Sequence, residues 1–405
     1  MTPMPEDPRI RQLVKMLSRR RVLQYGLIGG AGALVAACGG GIGGSSTSPS
    51  ASASGAPTAP DKSATEKIVN WSNWPLYIDV GANKSHPSLD AFKKATGITV
   101  NYTEDYNDNN EFYAKVHPQL QAGQSIGRDL ITATDWMANI WIRNGYAEML
   151  DLANIPNHKN IGQSWNLVSF DPGRKYTMPW QSGSAGIGWN RAELKRLTGK
   201  TELRTLDELW DPRLKGRVTI LSEMRDSMGL MLMAMGKRAD KFTDADFTAA
   251  IAEFQKYVDN GQIRGVTGND YATSMANGTV VAAIAWSGDM LSDTQTYGYA
   301  IPESGGTLWT DNMLIPPLAA HKLNAEKWMN FYYQPEIAAM VAAYVKYISP
   351  VAGAQEAMKK VDPTQVNNPA IFPDAATLAK LQVFMPLTDV QQTNYQKQFQ
   401  ALSGA

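Results

Sequence analysis

The stretch "ITVNYTEDYNDNNEFYAKVHPQLQAGQSIGRDLITAT", residues 98–134, decides the architecture, because its hydrophobic period changes twice. "ITVNYTE" (98–104) alternates β-branched and polar residues as a strand does. "NNEFYAKVHPQLQAG" (109–123) spaces its apolar residues as a helix does, and "DLITAT" (129–134) returns to a strand. Upstream, "KIVNWSN" (67–73) reads as a buried strand and "HPSLDAFKKATG" (86–97) as a helix, with Pro87 in its first turn and Gly97 as its C-terminal stop. This β-α-β-α-β order implies right-handed crossovers and a mostly parallel sheet. Ligands of such sheets sit beyond the carboxyl ends of the strands, where Trp74, Tyr77, Thr134 and Trp136 fall.

A second series follows "KYTMPWQSGS". "AGIGWN" (185–190), "RVTIL" (217–221) and "TVVAAIAW" (279–286) read as strands, separated by "DSMGLMLMAMG" and "DADFTAAIAEFQKYV" as helices. "TLWTDNM" (307–313) reads as a further strand, in which Trp309 and Asp311, two positions apart, share a face. "NAEKWMNFYYQ" and "PEIAAMVAAYV" then read as amphipathic helices, and no internal repeat of fixed period is present. Two α/β lobes with a cleft between them is the natural architecture, and small ligands favour such interfaces.

At 405 residues, with 43% apolar and 19% charged, the chain has room for two cores. Residues 1–37 hold six bases and two acids, which leaves 32 bases against 36 acids and a formal charge of −4 in the remainder. That balance gives no basic footprint for nucleic acid. "SRRRVLQ" from Ser18 resembles a twin-arginine export signal, with Arg19 and Arg20 ahead of Val22 and Leu23. The apolar, glycine-rich run after it is about 16 residues, too short for a stable span. It ends in "LVAAC", which resembles a lipobox and marks Cys38, the only cysteine, as the lipidation site of an extracytoplasmic protein held on the outer face of the cytoplasmic membrane. A single cysteine excludes a disulfide framework. Residues 38–65, rich in Gly, Ser, Ala, Pro and Thr, read as a flexible linker between the lipid and the folded body.

Catalytic signatures are absent: there is no H-E-x-x-H, G-x-S-x-G or C-x-x-C, and His86, His117, His158 and His321 are scattered. "DYNDNNEFYAKV" (105–116) mimics a calcium loop at Asp105, Asn107 and Asn109 but has Asn110 where the turn glycine belongs and Val116 where the bidentate glutamate belongs. A polar helix start accounts for it better. What recurs is an aromatic beside an acid: Asp135 with Trp136, Trp286 with Asp289, and Trp309 with Asp311, while "NWPLY" adds the aromatics Trp74 and Tyr77 and "SEMRD" adds Glu223 and Asp226. A desolvated ammonium group is the chemistry these pairs suit, since an aromatic face attracts a cation and a carboxylate neutralises it.

Over roughly residues 66–360 these stretches resemble the spermidine/putrescine-binding proteins, the solute receptors of bacterial polyamine ABC importers. The resemblance rests on "NWPLYI", "YAKV", "FDPGRKYTMPW", "LKGRVTILSEMRDSMG", "WSGD", "ESGGTLWTDNMLIP" and "YISP". It implies a type II periplasmic-binding-protein fold, with residues 66–183 plus 311–352 in one lobe and 184–310 plus 353–405 in the other. It also implies an aromatic pair at Trp74 and Tyr77, a hydroxyl and an aromatic at Thr134 and Trp136, and two acids for the far amine at Glu223 and Asp226. Trp286, Trp309, Asp311 and Tyr347 match the aromatic box and its central carboxylate, and Asp289 matches the acid of the putrescine branch. Departures from the pattern are Phe384, where a polar side chain is expected, and the additional acid Asp135. The function so implied is capture of spermidine or putrescine by a monomer that delivers it to permease subunits with a cytoplasmic ATPase, with no catalysis, cofactor or metal. Two other readings stand beside it. One is a receptor for another organic cation. The other is an extracytoplasmic hydrolase, which would need two carboxyl groups about 5 to 9.5 Å apart across a sugar groove.

Overall fold

The alternation of periods in 67–134 produces three parallel strands and the helices that connect them. In the computed structural model, which describes residues 56–402, β1 (Ile68–Asn73) lies between β2 (Thr99–Glu104) and β3 (Leu130–Thr134). Helix α1 (Pro87–Thr96) starts at a proline, whose missing N–H costs nothing in a first turn, and ends at Gly97, where φ of 75° suits a residue without Cβ. Helix α2 (Asn109–Gln121) is capped by Asp108, whose carboxylate accepts from the N–H groups of Asn110 and Glu111. The calcium-like loop is therefore a helix start. Its Asp105 pairs with Lys115 and Arg128 at 3.1 and 3.2 Å, and among the described residues no His, Cys, Asp and Glu cluster could hold a metal. Helix α3 (Asp135–Arg143) begins at the residue after β3, which puts Trp136 in its first turn.

The longest strand, β4 (Thr177–Asn190), begins eight residues before the start expected at 185. Pro179 hid it, since proline gives up a ladder hydrogen bond, and the pairing register shifts between Pro179 and Gln181 to accommodate it. After it come β5 (Val218–Leu221), α4 (Met224–Ala234), α5 (Asp244–Asp259), β6 (Ile263–Thr267), β7 (Ala282–Trp286), β8 (Tyr297–Ala300) and β9 (Gly306–Leu314). The sheet runs β2-β1-β3-β9-β4-β7-β5-β6, with β8 beside β4 and the two-residue β10 (Leu381–Gln382) beside β9. Antiparallel β4 and β9 pair from Thr177–Leu314 to Ala185–Thr307 and form the spine that joins the two halves.

Each half has its own core. The first gathers Trp71, Phe92, Trp141, Trp180, Met313 and Trp328; the second gathers Ile187, Ile220, Leu232, Phe247, Phe254 and Ile284. Along β4 the chain passes from one core to the other between Trp180 and Ala185. Helices α6 (Lys322–Tyr332) and α7 (Pro335–Val345) cover the first half. Beyond 353 the chain was expected in the second lobe, but packing divides it. Helix α8 (Ala354–Val361) lies on α7, with Ala357, Met358 and Ile371 against Ala339 and Ala342. Phe384 and the residues Tyr395 and Phe399 of α9 (Asp389–Ala401) pack in the second core.

The end of the expected linker is also tied down. Pro57 accepts from Leu318 N–H, and Asp61 and Ser63 accept from Leu323 N–H at 2.9 Å and Asn324 N–H at 3.1 Å, capping the first turn of α6. Ser63 is buried as a result. The twin-arginine segment, Cys38 and residues 38–55 of the linker lie outside the described residues.

Candidate functional site

The strand ends of both halves open onto one cavity of about 630 Å³. Every candidate side chain named from the sequence lines it: Trp74, Tyr77, Thr134 and Trp136 from the first half; Glu223, Asp226, Trp286 and Asp289 from the second; Trp309 and Asp311 from the spine; and Tyr347 after α7.

Alternation along β9 puts Thr307, Trp309 and Asp311 on the cavity face. Thr134 Oγ1 donates to Asp311 Oδ1 at 2.6 Å, and burial pushes the Asp311 carboxyl up to about 7 against that bond. Behind it, Asn312 Nδ2 donates to Asp135 Oδ1 at 2.7 Å, so the additional acid is held by its neighbour; burial raises it to about 6 and the Arg174 charge opposes this. Gly183 leaves room for the Trp309 and Tyr347 rings, since a Cβ there would meet them at 2.6 and 2.7 Å. Those rings meet edge to face at 5.3 Å, as do Tyr347 and Tyr77. The Tyr347 hydroxyl donates to Asp289 Oδ1 at 3.2 Å and the Tyr271 hydroxyl donates to Asp289 Oδ2 at 2.7 Å, which makes Asp289 a fixed joint between the halves.

At the other end, Asp226 in the first turn of α4 accepts from Thr307 Oγ1 at 2.6 Å and from Trp286 Nε1 at 2.8 Å. Burial still raises it, to about 6. Trp286 faces Trp74 across the cleft at 6.4 Å between ring centroids. Glu223 is the N-cap of α4; its Oε1 accepts from Arg225 N–H at 3.3 Å and its Oε2 from Asn109 Nδ2 at 3.4 Å. Desolvation pushes it up to about 8 despite the Arg225 charge. The indole N–H groups of Trp74, Trp136 and Trp309 are buried without a hydrogen-bond partner.

Sequence reasoning missed Thr307, Asn109 and Arg225, all of which line the cavity. Thr307 was within reach, since it stands two positions before Trp309 on the same face. Arg225 was not, because its position between two acids gives no direction. The Arg225 guanidinium lies 3.9 Å from the centroid of the Trp136 ring and 4.0 Å from Glu223 Oε1, and it donates to Gln392 Oε1 of α9. Glu223, expected with Asp226 to hold the far amine, and the expected aromatic Trp136 thus share a cation of the protein itself. Phe384 lines the cavity 6.0 Å from the same guanidinium.

The arrangement can hold a ligand with positive charge at its ends and apolar length between, and known proteins of similar sequence and shape bear on which. The chain is 27% identical over 312 residues to the spermidine/putrescine-binding periplasmic protein of Escherichia coli K12, covering 76% of this chain and 83% of the relative. It is 28% identical over 341 residues to the putrescine-binding periplasmic protein PotF of the same organism, covering 78% and 86%. Among solved structures, a putative spermidine/putrescine ABC transporter protein from Listeria monocytogenes superposes with a TM-score of 0.70 at 28% identity, over 83% of this chain and 99% of that one. The substrate-binding protein PotD of Streptococcus pneumoniae superposes at 0.66 and 25% identity, over 83% and 98%. The shared architecture is that of the two-lobed periplasmic binding proteins. Residues 88–373, more than half of the chain, match the sequence profile described as bacterial extracellular solute-binding protein, and the chain belongs to that family of solute receptors.

Proposed function

We propose that the protein captures a polyamine in the cleft between its lobes and delivers it to the membrane subunits of an ABC importer, held at the membrane by a lipid on Cys38 and carrying out no chemistry. The observation that carries this reading is the face of β9. Asp311 and Thr307, which holds Asp226, stand four positions apart, about 13 Å along a strand, with Trp309 between them. A polyamine has the complementary form, ammonium groups separated by three or four methylenes. Each carboxylate neutralises an ammonium through charge-assisted hydrogen bonds, while the flat walls of Trp309, Trp74 and Trp286 take its methylenes out of water and add about 0.5–2 kcal/mol each where a cation lies over a ring. Without a cation, Asp226 and Asp311 raise each other's cost of ionisation. Bound amine removes that cost, which favours the arrangement in which both lobes touch it. The sequence relatives named for spermidine and putrescine support the same ligand class.

Calorimetric titration of the protein with putrescine, spermidine, spermine and a panel of neutral sugars tests the reading. Saturable binding of a polyamine and none of a sugar is expected; saturable binding of a sugar alone would overturn it.

A further inference from the structure

The cleft carries acids and aromatic walls for more positive charge than it leaves room for, because part of it is occupied from within. Arg225 is buried, with its guanidinium stacked at 3.9 Å on Trp136, 4.0 Å from Glu223 and fixed by Gln392 of α9. At 3.9 Å the stacking is van der Waals contact, so no ligand group can enter between guanidinium and indole. Glu223 is engaged three ways: as the cap of α4, by Asn109 of the opposite lobe, and by this cation. Asp289 is held between the Tyr271 and Tyr347 hydroxyls, which leaves Asp226 and Asp311. They are the carboxylates anchored along the β9 face.

We propose that Arg225 determines specificity by filling the aromatic and acidic seat at the Glu223 end, so that the receptor takes a short diamine in preference to a triamine or tetramine. The proposal rests on the polyamine reading above. A third ammonium beyond Asp226 would meet a fixed positive charge instead of a free carboxylate. Gln392 is the second half of the device, since it keeps the guanidinium on Trp136 from an element that otherwise packs in the second core.

Isothermal titration of the full chain with 1,4-diaminobutane, spermidine and spermine, before and after Arg225→Met, tests this. The wild type should bind the diamine at least about tenfold more tightly than spermine, and Arg225→Met should improve spermine relative to the diamine by about tenfold. Gln392→Ala should move the same ratio in the same direction by a smaller factor, and it keeps the test decisive if the methionine variant does not fold. A wild type that prefers spermine, or variants in which all the affinities move together, would overturn the role of Arg225 and leave the polyamine receptor standing. Heat with none of the amines would overturn both.

Discussion

At the scale of one residue, burial sets the protonation of Asp311. Its carboxyl is held at about 7, and Asp226 and Glu223 at about 6 and 8, by removal from water. In the empty protein these groups are partly protonated near neutrality. An ammonium binds the ionised form, so binding should expel protons and strengthen as pH rises from 6 to 8. Titrations in buffers of different ionisation enthalpy measure the protons directly, and a pH-independent affinity with no proton release would contradict this. The same shifts act on stability. Between the ordinary carboxylate range and about pH 8 the folded empty protein binds protons that the unfolded chain has lost, so its stability falls as pH rises through that window, and bound amine should flatten the fall. Trp328 makes the contrast with the cleft tryptophans. It is fully buried against Trp71, Phe92 and Trp180, away from the cavity. Trp328→Ala should cost about 3–5 kcal/mol in denaturant unfolding while leaving the affinity of the remaining folded protein unchanged.

Among the elements, α6 draws its cap from a segment distant in the sequence. Asp61 and Ser63 satisfy the N–H groups of Leu323 and Asn324, so a chain that starts at Ala64 would lose both acceptors. Asp61→Ala and Ser63→Ala should each lower unfolding stability by about 1 kcal/mol, read from chemical denaturation, with no change in ligand affinity. Composition alone concealed this, because a Gly, Ser, Ala and Pro stretch looks the same whether its last residues are free or docked. Elsewhere local pattern and structure agree where one residue settles an element: Pro87 and Gly97 bound α1, and the alternation through Trp309 and Asp311 defines the cavity face of β9. Pro179 is the counterexample, since it marks an irregularity within β4 that reads locally as a loop. Arg225 is another kind of miss. Its partners Trp136 and Gln392 come from two distant segments, and no local pattern reports a contact of that range.

For the whole molecule, the spine strands β4 and β9 join two cores, and the lobes touch through apolar side chains such as Trp286 and Leu76 and at polar points around the cleft. Ser222 Oγ donates to Asp108 Oδ2 at 2.7 Å, Asn109 reaches Glu223, and Arg143 pairs with Asp389 at 2.8 Å. Ser222 is absent from the cavity wall, so Ser222→Ala should act through the contact it makes between the lobes, weakening binding by about 1 kcal/mol. Small-angle scattering should show the variant more expanded than the wild type at the same subsaturating amine concentration, and identical profiles together with unchanged affinity would contradict a closure role. Lobes, spine and aromatic walls converge on Asp311, which accepts from Thr134 of the first lobe and lies on the strand that arrives from the second. The most direct test is calorimetric titration of 1,4-diaminobutane into the wild type and into Asp311→Asn. Loss of about 2–4 kcal/mol of binding free energy in the variant, with its fold intact by circular dichroism, is the predicted result. Equal affinities would show that the cleft holds its ligand by something other than this carboxylate and would contradict the account.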